Sequence, residues 1–223
     1  EAKWSAVLTS AAMLMINIPV SAEEQSQYIN GVTQINGYTE FEQPQVIENQ
    51  DMAQLGYSDI RAYEIENAGE LAWFVQHFYA GDLETQNVSL ADNIDMSALA
   101  AYSWTPLGYY NVETQTGKSY DGVFDGNGYS ISNIILNQIN GVDLVSKVSE
   151  EQAAVLGTQL IENIAQNALA GVFGYIGSAG HVTELKLENT SITTNADAGV
   201  LTGRNEGSIS ACLLYTSPSP RDA

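Results

Sequence analysis

Cysteine is all but missing. The one residue of that type, Cys212, can close no disulfide within the chain, so cross-links do not hold this fold together. Bases are scarce as well: seven Lys and Arg stand against 27 Asp and Glu, a formal net charge of −20. So acidic a surface argues against nucleic acid and anionic membrane as partners, since their phosphates need cationic side chains. It suits a solvated exterior, with divalent cations as possible counter-ions. Histidine occurs only at His77 and His181, and neither lies near a Ser or Cys nucleophile signature, so a catalytic triad lacks its parts. Long apolar runs are missing after Val20. The one before it, Trp4 to Val20, is broken by Ser5, Thr9, Ser10, Asn17 and Pro19, whereas a membrane span wants about 20 mostly apolar residues.

Both ends stand apart from the rest. Lys3, the apolar run and then Val20-Ser21-Ala22 follow the order of a secretory signal, with cleavage expected between Ala22 and Glu23. A buried N-terminal helix is the alternative. The first residue is Glu1, not Met, so the natural start is expected upstream. At the other end "CLLYTSPSPRDA" departs from the preceding pattern and resembles the translation of a transposase adapter used in sequencing libraries. Residues 212–223 are therefore expected to be an artefactual tail, with the biological chain interrupted near Ala211. A Pro/Ser-rich natural tail is the alternative.

Residues 23–60, rich in Gln, Asn, Glu and Gly, predict an irregular leader with one or two short strands. A clear helix follows. Asn67 and Glu70 have N-cap and capping-box spacing, and Leu71, Phe74, Val75 and Phe78 share one helical face. Gly81 closes it. "NVSLADNIDMSAL" then alternates as a strand and its turn.

From Trp104 the chain consists of related phrases: "GNGYSISNIIL", "AGVFGYIGSAGHVTELKL" and "AGVLTGRNEGSISA". The first two join a glycine to an apolar residue and another three positions on, and the third follows suit through Gly207 and Ile209 until the tail begins where the next was due. Gly180 to Gly207 is 27 residues and Ala170 to Ala198 is 28, a period typical of repeat architectures. Between the first phrase and the second, "SEEQAAVLGTQLIENIAQNAL" predicts a helix within an insertion at 138–169, with Ser149 as N-cap and Gln152 three residues on. It either packs on its own domain or binds a partner.

"AGVLTGRNEGSI" resembles the glycine-rich GLUG repeat of large bacterial secreted and surface proteins. The upstream order also resembles that family: "AGELAWFV", "LADNIDMS", "WTPLG", "FDGNGYSISNI", then "GVFGYIG". The likeness runs from about Tyr63 to Ala211, broken by the insertion and by Thr202, which adds a residue. It implies a mainly β fold, a right-handed parallel β-helix over residues 61–211, with an N-terminal capping helix and one inserted helix. The structural corner glycines are then Gly126, Gly128, Gly171, Gly174, Gly180, Gly199, Gly203 and Gly207, where Gly supplies positive φ cheaply. In "DGNG" Asp125 and Asn127 can bond nearby backbone amides. As a calcium loop it fails, because Tyr129 stands where an oxygen ligand is needed.

Chemistry was sought in two further places. Asp92, Asp95, Asp121 and Asp125 would suit a sugar-cleaving groove if they gathered beside Lys118 or Arg204; the alternative is that they are solvent-facing turn acids. Trp104, Pro106, Tyr109 and Tyr110 would suit an aromatic platform for sugar, or else simply plug the first layer. The expectation is a non-catalytic extracellular or cell-surface domain, active in adhesion or scaffold presentation, without cofactor or metal. Its partners would be an extracellular protein or glycan, not nucleic acid, with no membrane insertion of the mature domain. A carbohydrate-active enzyme and the repeat region of a large secreted protease are the rivals.

Overall fold

The computed structural model describes residues 30–35, 38–54, 56–81, 83, 85–139 and 169–215. Short strands dominate: β1 (Val32–Ile35), β2 (Tyr38–Phe41), β3 (Gln45–Glu48), β4 (Arg61–Ile65), β5 (Asn87–Leu90), β6 (Ile94–Asp95), β7 (Tyr109–Asn111), β8 (Thr116–Lys118) and β9 (Val123–Asp125). They continue as β10 (Ser130–Ser132), β11 (Ile135–Asn137), β12 (Phe173–Ile176), β13 (His181–Thr183), β14 (Lys186–Glu188), β15 (Ser191–Thr193), β16 (Thr202–Asn205), β17 (Ser208–Ser210) and β18 (Leu213–Tyr215). Helix α1 (Gln50–Gln54) precedes β4, helix α2 (Ala68–Ala80) follows it, and a 3-10 turn covers Met96–Leu99. The signal segment and the helix predicted within the insertion lie outside the described residues.

The single right-handed parallel β-helix expected above is corrected here. The strands divide into six sheets: one of six strands in the order β17-β13-β9-β5-β4-β3, one of four in the order β18-β14-β10-β6, and four of two. Their directions are mixed, since β1–β2, β3–β4 and β7–β8 are antiparallel. The reason is local. Strands of three or four residues end at sharp corners before a ladder can lengthen. Where the chain turns straight back, as between Asn111 and Thr116, consecutive strands pair antiparallel.

The remaining pairs are parallel and keep strict register. Val88, Phe124, Val182 and Ile209 lie side by side in the six-stranded sheet. Ile94, Ile131, Leu187 and Leu214 do so in the four-stranded one. The 27- and 28-residue intervals of the sequence become neighbours here: His181 pairs with Ser208, and Ala170 with Ala198. Burial follows the stacking. Val182 and Leu187 are 0% and 1% exposed, but Ile209 and Leu214, in the last layer, are 37% and 51% exposed. Leu213–Tyr215, within the adapter-like tail, pair with Lys186–Glu188 as that outermost strand.

Helix α2 closes one side of the core. Asn67 accepts a hydrogen bond from the Glu70 amide at 3.0 Å, and the Glu70 carboxylate accepts one from the Glu66 amide at 2.6 Å. Burial, together with the nearby Glu42 and Glu66 charges, raises the Glu70 pKa. Leu71, Phe74, Val75 and Phe78 are all buried. Gly81 follows in extended backbone, φ −147°, and its amide reaches the His77 carbonyl. Phe74 and Phe78 meet Tyr120, which also contacts Phe124 and Phe173 at ring centroids 6.4 and 5.8 Å apart. The Tyr120 hydroxyl lies 3.0 Å from both the Gln86 and Val123 carbonyls, and full burial pushes its pKa well up. On the outer side of the six-stranded sheet Met52 of α1 packs on Ala62 and Val123.

The glycines divide by cause. Of the eight corner candidates only Gly128 has positive φ, at 76°. Among the described residues Asn127, Asn133, Glu184, Asn189 and Ala211 are also left-handed, as are Asn30, Gln115, Gly31, Gly56 and Gly108. The expectation of positive φ is thus corrected for Gly126, Gly171, Gly174, Gly180, Gly199, Gly203 and Gly207; all but Gly199 let segments distant in sequence touch, and Gly199 lies against Thr202 of its own turn. A Cβ on Gly174 would meet the Gly108 carbonyl oxygen at 2.1 Å, and one on Gly126 the Leu185 Cα at 2.4 Å. Gly174→Ala should therefore destabilise by about 2 kcal/mol or more, because backbone must move. Gly128→Ala, with open space around it, should cost only its left-handed backbone, about 1 kcal/mol. Denaturant titration of both variants checks the order; a Gly174 variant at least as stable as the Gly128 variant would contradict it.

Candidate functional site

The "DGNG" stretch is a turn. Asp125 Oδ1 accepts from the Asn127 amide at 2.8 Å, and the Tyr129 amide donates to the Gly126 carbonyl at 2.7 Å. With φ of 49° at Asn127 and 76° at Gly128, these two residues form its left-handed centre. Asp125 itself is buried, and its Oδ2 accepts from Asn49, which also donates to Ser89. Among the described residues no group of three or more His, Cys, Asp and Glu is placed to hold a metal ion.

The other acids are held in separate places. Asp92 Oδ1 accepts from the Asn93 amide. Asp95 accepts from Asn133 and from the Ser97 amide, and the Asn133 bond, first among these, lowers its pKa. Asp121 receives the Ser119 hydroxyl and the Ala179 amide, bracing the Gly177–Gly180 turn. Lys118 reaches the Gly81 carbonyl at 2.8 Å and lies over the Phe78 ring. Each acid thus accepts from a different backbone amide, and Asp95 and Asp121 also reach segments distant in sequence.

The aromatic phrase splits as well. Trp104 is buried, its indole N–H donating to the Val172 carbonyl at 3.0 Å, and the Pro106 carbonyl accepts the Tyr79 hydroxyl. Both are structural. Tyr110, on the β7–β8 hairpin, instead leans on the β12–β16 pair. Its ring lies 5.5 Å from that of Tyr175, edge to face, and the Arg204 guanidinium sits 3.8 Å over it and 5.1 Å from Tyr175.

Strand register builds this cluster. Tyr175 and Arg204 are partners across the β12–β16 ladder, so their side chains leave the same face together. Glu206 follows β16, its Oε1 accepting from Arg204 Nε at 3.0 Å and also from the terminal guanidinium nitrogen, while Oε2 accepts the Tyr175 hydroxyl at 2.8 Å. The Arg204 hydrogen bonds hold Glu206 below the usual carboxylate range, and the bond to Glu206 raises the Tyr175 phenol. Two rings, one guanidinium and one carboxylate are therefore locked as a charge-neutral patch facing solvent. The sequence marks Tyr110 and Arg204 as candidates for different roles and carries no local signal for Tyr175 or Glu206. Positions 175 and 204 are 29 residues apart, one more than Ala170 and Ala198, so the repeat interval joins them only once the residue added near Thr202 is allowed for.

The histidines lie elsewhere. His77 stacks on Trp73 with ring centroids 3.8 Å apart, and burial lowers its pKa. His181 sits on the outer face of the six-stranded sheet, its Nδ1 bonded to Ser208 and its Nε2 3.3 Å from Ser210, which also donates to Thr183 at 3.0 Å. This ties β13 to β17 by side chains in addition to the ladder. Ala22 and Glu23 fall outside the described residues. Among those described, no helix is long and apolar enough to cross a membrane.

If Tyr110 and Arg204 are in direct contact, Arg204→Gln and Tyr110→Leu should be less than additive in denaturation midpoint when combined. Strict additivity across the double-mutant cycle would contradict the stacked geometry.

No family model matches the chain, and no solved structure matches it. The chain is 28% identical over 149 residues to halomucin from Haloquadratum walsbyi, a stretch covering 66% of this chain but only 1% of that protein.

Proposed function

We propose that this chain is a non-catalytic segment of an extracellular or cell-surface protein, active in adhesion or in holding other parts of a larger protein for display. The observation that carries the reading is how its acids are used. Asp92, Asp95, Asp121 and Asp125 each accept a backbone amide from a different turn, at Asn93, Ser97, Ala179 and Asn127, so all four carboxylates are engaged in holding backbone. Catalytic carboxylates of a sugar-cleaving enzyme must flank one bond. Similarity to halomucin, the phrases resembling GLUG repeats and the net charge of −20 support the same reading. So acidic a surface keeps the segment solvated and resists non-specific association with anionic polymers. Its partners are an extracellular protein or glycan.

The location is tested with antibodies raised against the folded chain. They should label intact cells of the source organism, and external protease should remove that label without lysis. Label that appears only after permeabilisation would overturn the reading.

A further inference from the structure

We propose that the patch formed by Tyr110, Tyr175, Arg204 and Glu206 binds a neutral, pyranose-containing glycan. The proposal deepens the surface reading above and rests on it for the class of ligand.

The argument starts from what the patch still offers. A guanidinium carries five N–H donors in one plane. Nε and one terminal nitrogen of Arg204 are aimed at Glu206 and a further interaction reaches the Tyr110 side chain, and a guanidinium's five N–H groups exceed these. Glu206 Oε2 accepts one bond, from Tyr175, and a carboxylate oxygen has room for another. Donors and an acceptor thus lie side by side, held by the edge-to-face rings, and neighbouring sugar hydroxyls each present both functions. Preorganisation lowers the cost of binding, because the side chains are ordered before the ligand arrives.

Charge selects among ligands. Arg204 is already balanced by Glu206, and the chain as a whole carries −20, so an anionic sugar or phosphate finds no uncompensated cation in the patch. The Arg204 guanidinium lies over the Tyr110 ring at 3.8 Å and over the Tyr175 ring at 5.1 Å, so the C–H face of a pyranose would meet the Tyr175 face turned away from Arg204. Tyr110 therefore positions Arg204, and Arg204, Glu206 and Tyr175 meet the sugar.

The test is titration of the full chain with cellohexaose and mannohexaose, and with an oligogalacturonate of equal length as the anionic comparison. Calorimetry gives affinity, and the Arg204 Nε resonance reports the site. The expected result is binding of at least one neutral oligosaccharide that shifts that resonance. Arg204→Gln and Tyr175→Ala should weaken it tenfold or more, Tyr175→Phe should weaken it less, and Val46→Ser, an exposed change on β3, should leave it unaltered. If a substituted chain fails to fold, the Arg204 resonance of the unmodified chain still decides. Three results overturn the proposal: no neutral oligosaccharide binds, only the oligogalacturonate binds, or binding persists unchanged in folded Arg204→Gln and Tyr175→Ala variants. The assay reads recognition alone and cell labelling reads location alone, so either can fail without the other.

Discussion

Layers of this protein rest backbone upon backbone, and that close approach governs everything built on it. A Cβ at Gly180 would meet the Tyr120 carbonyl oxygen at 2.4 Å, and one at Gly207 would meet the Gly180 carbonyl oxygen at 2.2 Å. At Gly180 and Gly207, stacked in line with the Tyr120 backbone, there is therefore no room for a side chain. With adjacent chains so near, parallel strands of only three or four residues can bond across every layer, and short strands suffice. The apolar residues then line up by register. Phe124 lies against Val182, and Ile131 against Leu187, each covering the next. Tyr120, at the centre, joins this column to helix α2 through Phe74 and Phe78. Its hydroxyl, held by two carbonyls, keeps a polar atom satisfied in a site that water does not reach.

The surface follows from the same register. Because side chains alternate across a strand, a residue that faces outward in one layer has outward-facing neighbours above and below it. His181 thus finds Ser208, and Tyr175 finds Arg204. Such columns assemble functional groups that lie far apart in sequence, with no cleft required. An adhesion or display role needs no more than this.

Much of helix α2 was legible, because Asn67, Glu70 and the Leu71–Phe78 stripe are local signals that tertiary packing did not oppose. The 27- to 28-residue spacing was legible too, and it became the pairing of Ala170 with Ala198 and of His181 with Ser208. The division into six sheets was not, since hairpins such as β7–β8 depend on how the chain turns at Asn111, whose side chain accepts from the Glu113 and Thr114 amides. Nor was the role of most glycines. Composition marks where Gly occurs, but cannot say whether it answers a backbone angle or a neighbour's carbonyl. Gly128 answers the first and Gly174 the second. The Tyr110–Tyr175–Arg204–Glu206 patch was half legible: its members come from three separate phrases, and only register shows that they meet.

Native-state hydrogen exchange tests the layered account most directly. The His181 and Lys186 amides donate to the Gly122 and Tyr129 carbonyls in the middle layers, whereas the Ser208 and Leu213 amides donate from the outermost one. If stacking supplies the stability, the first pair exchanges only through global unfolding, and the second opens locally and much faster. Equal protection of the two pairs, or faster exchange at His181 and Lys186, would contradict it.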